Sequence, residues 1–122
     1  MPSTSPLHIR DLSPQEFAQL TESWHLIDVR SRFEYALGHA PTAINLSLPR
    51  LLMGQVPFLR PWVLPQWFRA LPPDQPIAVI CLTAHRSPIA AKTLAALGFR
   101  QIVNITGGMM AWQQSGLPSQ NR

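Results

Sequence analysis

The sequence is poor in cysteine and in long apolar runs, and each shortage excludes a class of protein. Cys81 is the only cysteine among 122 residues, which excludes an internal disulfide framework and a zinc site built from paired cysteines. No basic segment is followed by a long apolar run, so we expect neither a signal peptide nor a transmembrane helix. We therefore predict a cytoplasmic protein that does not bind membranes.

Acids are missing from residues 75–122, whereas residues 1–74 hold six acids and six bases. The bases of the acid-free segment are Arg86, Lys92, Arg100 and Arg122, and they account for the whole formal net charge of +4. The bases are scattered and form no run, so we predict no nucleic-acid partner. A local positive field around Cys81, which lies in the same segment, is the better interpretation of this excess charge.

Short apolar segments alternate with helix signals along the chain. The predicted strands are residues 7–9, 24–28, 43–46, 77–80 and 102–105. Residues 77–80 form a continuous apolar run that is typical of a central strand buried on both faces. This alternation predicts an α/β fold with an open parallel sheet covered on both faces, in one domain over residues 1–122.

Two capping boxes and several glycines predict where the helices begin and end. Ser13 with Glu16, and Ser31 with Glu34, have the spacing of a capping box. In the second helix Phe33 and Leu37 fall on one face, and Gly38 is expected to end it in the left-handed conformation. The helix after Cys81 is predicted to start with Ser87 as N-cap and Pro88 as its first residue, and to end at Gly98.

Residues 47–76 are rich in proline and are the least regular part of the sequence. Their apolar content is too high for a disordered linker, so we predict a connection with one or two short helices. Leu64, Trp67, Phe68 and Leu71 have the spacing of an apolar helical stripe. For Trp62, Trp67 and Phe68 two interpretations remain open, packing in the core or a docking patch for a partner.

The segment with the clearest chemical signal is the loop at residues 81–86. It follows the buried strand and precedes a helix, and ligands of open parallel sheets bind outside the carboxyl ends of the strands. A short loop at a helix N-terminus points backbone N–H groups and the positive end of the helix dipole toward one spot. With Arg86 nearby, this environment favours a thiolate at Cys81, so the loop is predicted to be an anion cradle with a nucleophile.

Four segments together resemble the single-domain rhodanese-like sulfurtransferases. They are residues 26–30 (LIDVR) with Glu34, residues 38–45 with Thr42 where the family usually has glycine, residues 81–86, and the closing residues Gly98, Phe99, Ile105, Gly107, Gly108 and Trp112. In this order they span about residues 7–118, which is the expected core of the domain.

The resemblance implies a three-layer α/β/α fold whose five-stranded parallel sheet has the strand order 3-2-4-5-1. It also implies a reaction in which Cys81 takes the outer sulfur of a small anionic donor such as thiosulfate and passes it to an external thiol or protein acceptor. The backbone amides of the loop would hold the transferred sulfur, and no cofactor or metal is implied. The loop residues are Leu82, Thr83, Ala84, His85 and Arg86, and the expected supporting residues are Asp28, Arg30, Glu34 and His39.

Departures from the family pattern leave alternatives open. Leu82 is apolar where a basic or polar residue often stands, and Ala84 replaces a frequent glycine, which would suit a weakly catalytic binding module. A third alternative is phosphatase or arsenate reductase activity. Related enzymes of that kind place five residues between the cysteine and the arginine, whereas four lie between Cys81 and Arg86, so the loop length disfavours this alternative. Arg86 either contacts the substrate or folds back onto Asp28 or Glu34. His85 either tunes the thiolate or is simply exposed.

Overall fold

The computed structural model describes residues 9–20, 23–83 and 85–120, so the predicted strand residues Leu7 and His8 and the loop residue Ala84 lie outside it. The strands are β1 (Ile9–Leu12), β2 (His25–Asp28), β3 (Ile44–Asn45), β4 (Ile77–Ile80) and β5 (Ile102–Ile105). The helices are α1 (Pro14–Ala18), α2 (Arg32–Leu37), α3 (Leu48–Met53), α4 (Arg60–Val63), α5 (Gln66–Arg69), α6 (Ser87–Ala96) and α7 (Gly108–Gln114).

The five strands form one parallel sheet in the order β1-β5-β4-β2-β3, which confirms the predicted order read from the other edge. Asp28, the last residue of β2, pairs with Asn45 on one side and with Ile80 on the other. Since parallel strands end at the same edge, Asp28, Asn45 and Cys81, which follows Ile80, arrive there together.

Helices cover both faces of the sheet, as predicted. One core cluster joins the sheet to the layer of α3, α5 and α6, and a second joins it to the layer of α1, α2 and α7. All four residues of β4 are buried, as the continuous apolar run at residues 77–80 predicts. The three-layer α/β/α architecture is therefore confirmed.

Both capping boxes are present. The Oγ of Ser13 accepts from the Glu16 N–H at 3.1 Å, and the Ser13 N–H donates to the Glu16 carboxylate at 2.8 Å. The same reciprocal pair joins Ser31 and Glu34 at 3.2 and 3.0 Å. These bonds satisfy amides that the first turn of a helix leaves without partners, which is why so short a sequence pattern predicts a helix start correctly.

The way α2 ends differs from the prediction, whereas its two apolar residues share a face as predicted. Phe33 and Leu37 do share a face, but that face is turned to solvent, with 74% and 68% of the two residues exposed. Tyr35 packs against the second core cluster instead, and its hydroxyl donates to the Ala43 carbonyl. Gly38 has a φ of 161° and is extended rather than left-handed, because the chain continues straight to His39.

The start of α6 also differs by one residue from the prediction. Arg86, not Ser87, occupies the N-cap position, and it makes no side-chain capping bond. Ser87 is the first residue of the helix and is fully buried. Its hydroxyl is turned toward Cys81 rather than toward the helix amides.

The proline-rich segment contains three short helices rather than one or two. Arginine side chains help to end and join them: Arg60 donates to the Gly54 carbonyl at 2.7 Å, and Arg69 donates to the Leu64 carbonyl at 3.0 Å. Leu64 and Phe68 are buried, and Trp67 and Leu71 pack against the same core cluster, which supports the core interpretation for this stripe. Trp62 behaves differently, since 83% of it is exposed.

Thr42 adopts the left-handed backbone conformation, with a φ of 69°. It stands at the position where the resemblance places glycine, the residue that adopts this conformation without steric cost. Thr42 therefore carries the steric cost that a glycine at this position would avoid.

Candidate functional site

Cys81 lies directly after β4 and is almost completely enclosed, with 1% of it exposed. The start of α7 holds the backbone beside it: the Met109 N–H donates to the Cys81 carbonyl at 2.7 Å, and the Met110 N–H donates to the Leu82 carbonyl at 3.0 Å. Gly108 is packed so closely against the loop that a Cβ there would lie 2.6 Å from the Thr83 carbonyl oxygen. Helix α7 thus holds the loop in place through two backbone hydrogen bonds and the close packing of Gly108.

The loop uses its carbonyls for these contacts and leaves its amides available. Within residues 9–20, 23–83 and 85–120, no protein acceptor is hydrogen bonded to the backbone N–H of Leu82, Thr83, His85 or Arg86. Unpaired amides that follow one another at a helix N-terminus are the usual means of holding a small anion. The arrangement can therefore bind negative charge next to the thiol.

A neighbour of the thiol that the sequence analysis missed is Ser87. Its Oγ lies 3.4 Å from the Sγ of Cys81, and both side chains are buried. The sequence suggested a helix cap for this serine, and the signal that could have corrected this is its spacing, six residues after Cys81 at the end of a tightly wound loop. A hydroxyl in this place can donate to a thiolate and stabilise the charged form.

Arg86 folds back onto Glu34 rather than onto Asp28. Two bonds of 2.7 and 2.9 Å join its guanidinium to the carboxylate in a bidentate pair, which ties the end of the loop to α2. The bonds from Arg86 lower the pKa of Glu34 to about 2, against the opposing effect of burial. The same carboxylate raises the pKa of Arg86 above its ordinary value.

Asp28 and Arg30 form a second, fully buried ion pair beside the loop. The guanidinium binds the carboxylate through Nε and Nη2, at 3.0 and 2.8 Å to the nearer oxygens, and Nη2 also donates to the Gly38 carbonyl at 2.6 Å. Asn45 donates to the carbonyls of Asp28 and Arg30 at 3.0 and 2.9 Å. This network joins the ends of β2 and β3 to the turn after α2.

The remaining predicted site residues take varied positions. His39 is buried, stacks on the Tyr35 ring at a centroid distance of 3.7 Å, and its Nδ1 lies 2.8 Å from the Tyr35 carbonyl. His85 is exposed on the loop, and Thr83 is half-buried. Leu82 is exposed on the loop. Ala84 lies outside the described residues.

The described parts of the chain contain neither a cluster of metal-ligating side chains nor a membrane-spanning helix. There, no three His, Cys, Asp or Glu side chains are grouped so that they could hold a metal ion. None of the helices in those parts is long and apolar enough to span a bilayer.

Comparison with known proteins identifies the family. The sequence model of the rhodanese-like domain family matches residues 13–115 of this chain. The chain belongs to the rhodanese-like domain family. A protein named thiosulfate sulfurtransferase GlpE, from Vibrio cholerae, is 29% identical over 114 residues, which cover 92% of each chain. A protein named sulfurtransferase, from Allochromatium vinosum, is 29% identical over 98 residues, 80% of this chain and 79% of that protein.

Solved structures agree with this assignment. The rhodanese-related protein of Thermoplasma volcanium superimposes on this rhodanese-like domain with a TM-score of 0.72 at 26% identity, covering 93% of this chain and 99% of the other. The thiosulfate sulfurtransferase of Pseudomonas aeruginosa has the same fold over 93% of this chain and 20% of its own length, with a TM-score of 0.72 at 20% identity. The solved structures therefore share the fold of this rhodanese-like domain, and two of the sequence relatives are named sulfurtransferases.

The ion pair of Glu34 predicts a pH-dependent stability. Because the folded pKa of about 2 lies below the ordinary 4.5, the contribution of Glu34 is complete above pH 4.5 and is lost as the pH falls toward 2. We expect Glu34→Gln to lower the free energy of unfolding by about 1–2 kcal/mol at pH 7, a value reduced for the partial exposure of the pair. Urea unfolding of both proteins between pH 7 and pH 2 measures the difference, which should shrink below pH 4.5.

Glutamine can keep the capping box, so Glu34→Gln removes the charge and one of the two acceptors that bind Arg86. Glu16→Gln makes the corresponding change in the capping box of α1, where no salt bridge to a described residue exists, and should give a much smaller difference at pH 7. Equal effects of the two substitutions at every pH would contradict the assignment.

Ser87 predicts a change in thiol reactivity. We expect Ser87→Ala to slow alkylation of Cys81 by iodoacetamide at pH 7 about tenfold, because a hydrogen bond to a charged group is worth about 1.5–3 kcal/mol. Since Cys81 is the only thiol, the measured rate belongs to it alone.

Thr93→Val is the matched control for Ser87→Ala. Thr93 is also a buried hydroxyl residue of α6, but its Oγ1 donates to the Ile89 carbonyl at 2.9 Å. A general loosening of the helix would affect both variants alike. An unchanged alkylation rate in Ser87→Ala would exclude a role of this hydroxyl at the thiol.

Proposed function

We propose that this protein is a sulfurtransferase in which Cys81 carries the transferred sulfur as a persulfide. The single observation that carries the proposal is the placement of a buried thiol at the start of a loop whose backbone amides have no protein acceptor among the described residues. Such a loop suits a small sulfur-bearing anion. The relatives named sulfurtransferase, together with the charge of the segment after residue 74, support the same reaction.

In the first half-reaction the Cys81 thiolate attacks the outer sulfur of the donor, for which thiosulfate is our candidate. The new bond joins Sγ to that sulfur, the sulfur–sulfur bond of thiosulfate breaks, and sulfite leaves with the electron pair. The persulfide that forms would lie among the amides of the loop, including those of Leu82 and Arg86. No proton-transferring base is required when the thiol is already ionised.

In the second half-reaction an external nucleophile removes the outer sulfur. Because the chain has one cysteine, no second thiol of its own can form a disulfide with Cys81 and release the sulfur. We therefore propose that a thiol of another molecule is the acceptor, with cyanide as a substitute in an assay. No cofactor takes part in either step.

Intact-mass measurement after incubation with thiosulfate tests this function directly. We expect one sulfur atom to be added to the wild type and none to Cys81→Ser. Addition of cyanide should then remove the sulfur and produce thiocyanate at a rate that also depends on Cys81. Equal thiocyanate production by the wild type and Cys81→Ser would refute the proposal.

A second candidate function is a rhodanese-like binding module without turnover. The observation in its favour is Trp62, of which 83% is exposed, an unusual state for a tryptophan. This alternative predicts that no donor adds sulfur to Cys81. It also predicts that Trp62→Ala abolishes the binding of a partner protein. The same mass measurement therefore decides between the two functions.

A further inference from the structure

Four apolar residues are exposed on the Cys81 loop and on the two helices bonded to it, and we call them the mouth patch: Phe33, Leu37, Leu82 and Met110. Phe33 and Leu37 form the solvent-facing side of α2, which is tied to the loop by the ion pair between Glu34 and Arg86. Leu82 follows Cys81, and its carbonyl accepts from the Met110 N–H. The patch therefore includes one residue of the loop and three residues of the two helices bonded to it.

Leu37 and Leu82 meet in one surface cavity of about 280 Å³, whose other lining residues are Arg30, Glu34, Gly38 and Gln113. Arg30 is held by Asp28, and Glu34 by Arg86, in bidentate pairs. Each charge that lines the cavity is thus cancelled by a partner, and the remaining polar side chain is the neutral amide of Gln113. The cavity complements a neutral, apolar group rather than an anion.

The burial of Cys81 restricts which molecules can accept the outer sulfur of its persulfide. With only 1% of Cys81 exposed, an acceptor must bring its own sulfur down to the loop instead of meeting the thiol at the surface. A charged carrier of that sulfur would lose hydration against Leu37 and Leu82 without gaining a free counter-charge. An apolar carrier would gain by covering these side chains.

We propose, resting on the function proposed above, that the sulfur acceptor is a cysteine thiol carried on an apolar protein segment that docks on the mouth patch. The acceptor thiolate attacks the outer sulfur of the Cys81 persulfide, and a new sulfur–sulfur bond forms as the old one breaks. Cys81 leaves as a thiolate. The products are the acceptor persulfide and free Cys81, with no net oxidation and no further reactant.

The test separates loading from discharge. The protein is loaded with thiosulfate, freed of excess donor, and mixed with one of two blocked tripeptide thiols, one with leucine and one with serine on both sides of cysteine. Intact mass follows the loss of sulfur, and each rate is divided by the rate of the same thiol with a small-molecule disulfide. We expect discharge to the leucine peptide to be about tenfold faster, from the burial of apolar surface in the transition state.

The double variant Phe33→Ser/Leu37→Ser removes half of the patch without touching the loop. We expect it to load normally and to reduce the preference for the leucine peptide to about twofold or less. The matched control is Leu52→Ser/Phe58→Ser, which removes an exposed leucine and an exposed phenylalanine from the segment that joins the other helical layer. The control should keep the full preference.

The outcomes are distinguishable. If no sulfur is loaded, the proposed function fails before the acceptor is tested. If loading succeeds but the two peptides discharge it equally, or both double variants act alike, the acceptor proposal is overturned and the function stands. A wild-type dimer that Phe33→Ser/Leu37→Ser converts to a monomer would also overturn it, because the patch would then serve self-association.

Discussion

Replacing Asp28 with alanine is expected to lower the free energy of unfolding by about 3–5 kcal/mol. Asp28 and Arg30 are both buried, and the carboxylate is the only negative partner of Arg30 among the described residues. Without it a guanidinium remains buried with the Gly38 carbonyl alone, and the interior does not solvate such a charge. Denaturant unfolding followed by tryptophan fluorescence measures the loss.

The double variant Asp28→Ala/Arg30→Met identifies the cause. It removes both charges, so we expect it to be more stable than Asp28→Ala alone, although one residue more is changed. Asp74→Ala, at an exposed aspartate in the loop before β4, controls for the loss of a negative charge. A double variant that is less stable than Asp28→Ala would show that packing, rather than an unpaired charge, dominates.

Replacing Gly108 with alanine is expected to slow the loading of sulfur from thiosulfate onto Cys81, followed by intact mass, at least tenfold. This corresponds to more than about 1.4 kcal/mol. A Cβ at Gly108 would lie 2.6 Å from the Leu82 carbonyl carbon and equally close to the Thr83 oxygen, and it would also strike the Cys81 carbonyl. All three are backbone atoms and cannot rotate away, so α7 and the loop must separate. The alkylation rate of Cys81 should rise as the thiol becomes accessible.

Gly116→Ala is the matched control for Gly108→Ala. Both glycines have positive φ, 58° at Gly108 and 78° at Gly116, so both substitutions carry the strain of a left-handed alanine. A Cβ at Gly116 meets nothing within 4 Å. We therefore expect Gly116→Ala to be destabilised but to load sulfur normally. Equal loading in the two alanine variants would contradict a role of Gly108 in holding the loop.

The features that could be predicted from the sequence depend on neighbours a few residues away. The capping boxes of α1 and α2 need only a serine and a glutamate three residues apart. The burial of β4 follows from a continuous apolar run, and the parallel direction of the strands follows from the alternation of strands and helices. The resemblance added the strand order and directed attention to Cys81.

The features that could not be predicted depend on how distant segments meet. Arg86 had two possible carboxylate partners, and Glu34, 52 residues away, was selected only when the sheet brought α2 beside the loop. The spacing of Phe33 and Leu37 predicted a shared face of α2 but not which way that face turns. In the structure Tyr35 packs against the core, and Phe33 and Leu37 are exposed. The prediction for Gly38 failed for the same reason, since the chain beyond α2 continues into a bridge with Gln120.

The sequence by itself determined the starts of α1 and α2, the buried central strand and the position of a lone cysteine between that strand and a helix. Each of these follows from contacts within a few residues or from the period of apolar side chains. Only the tertiary structure decided that Ser87 faces the thiol, that the charges beside the loop cancel in pairs, and that Phe33 and Leu37 remain exposed at its mouth. These depend on side chains far apart in the chain, whose distances exist only once the sheet has assembled.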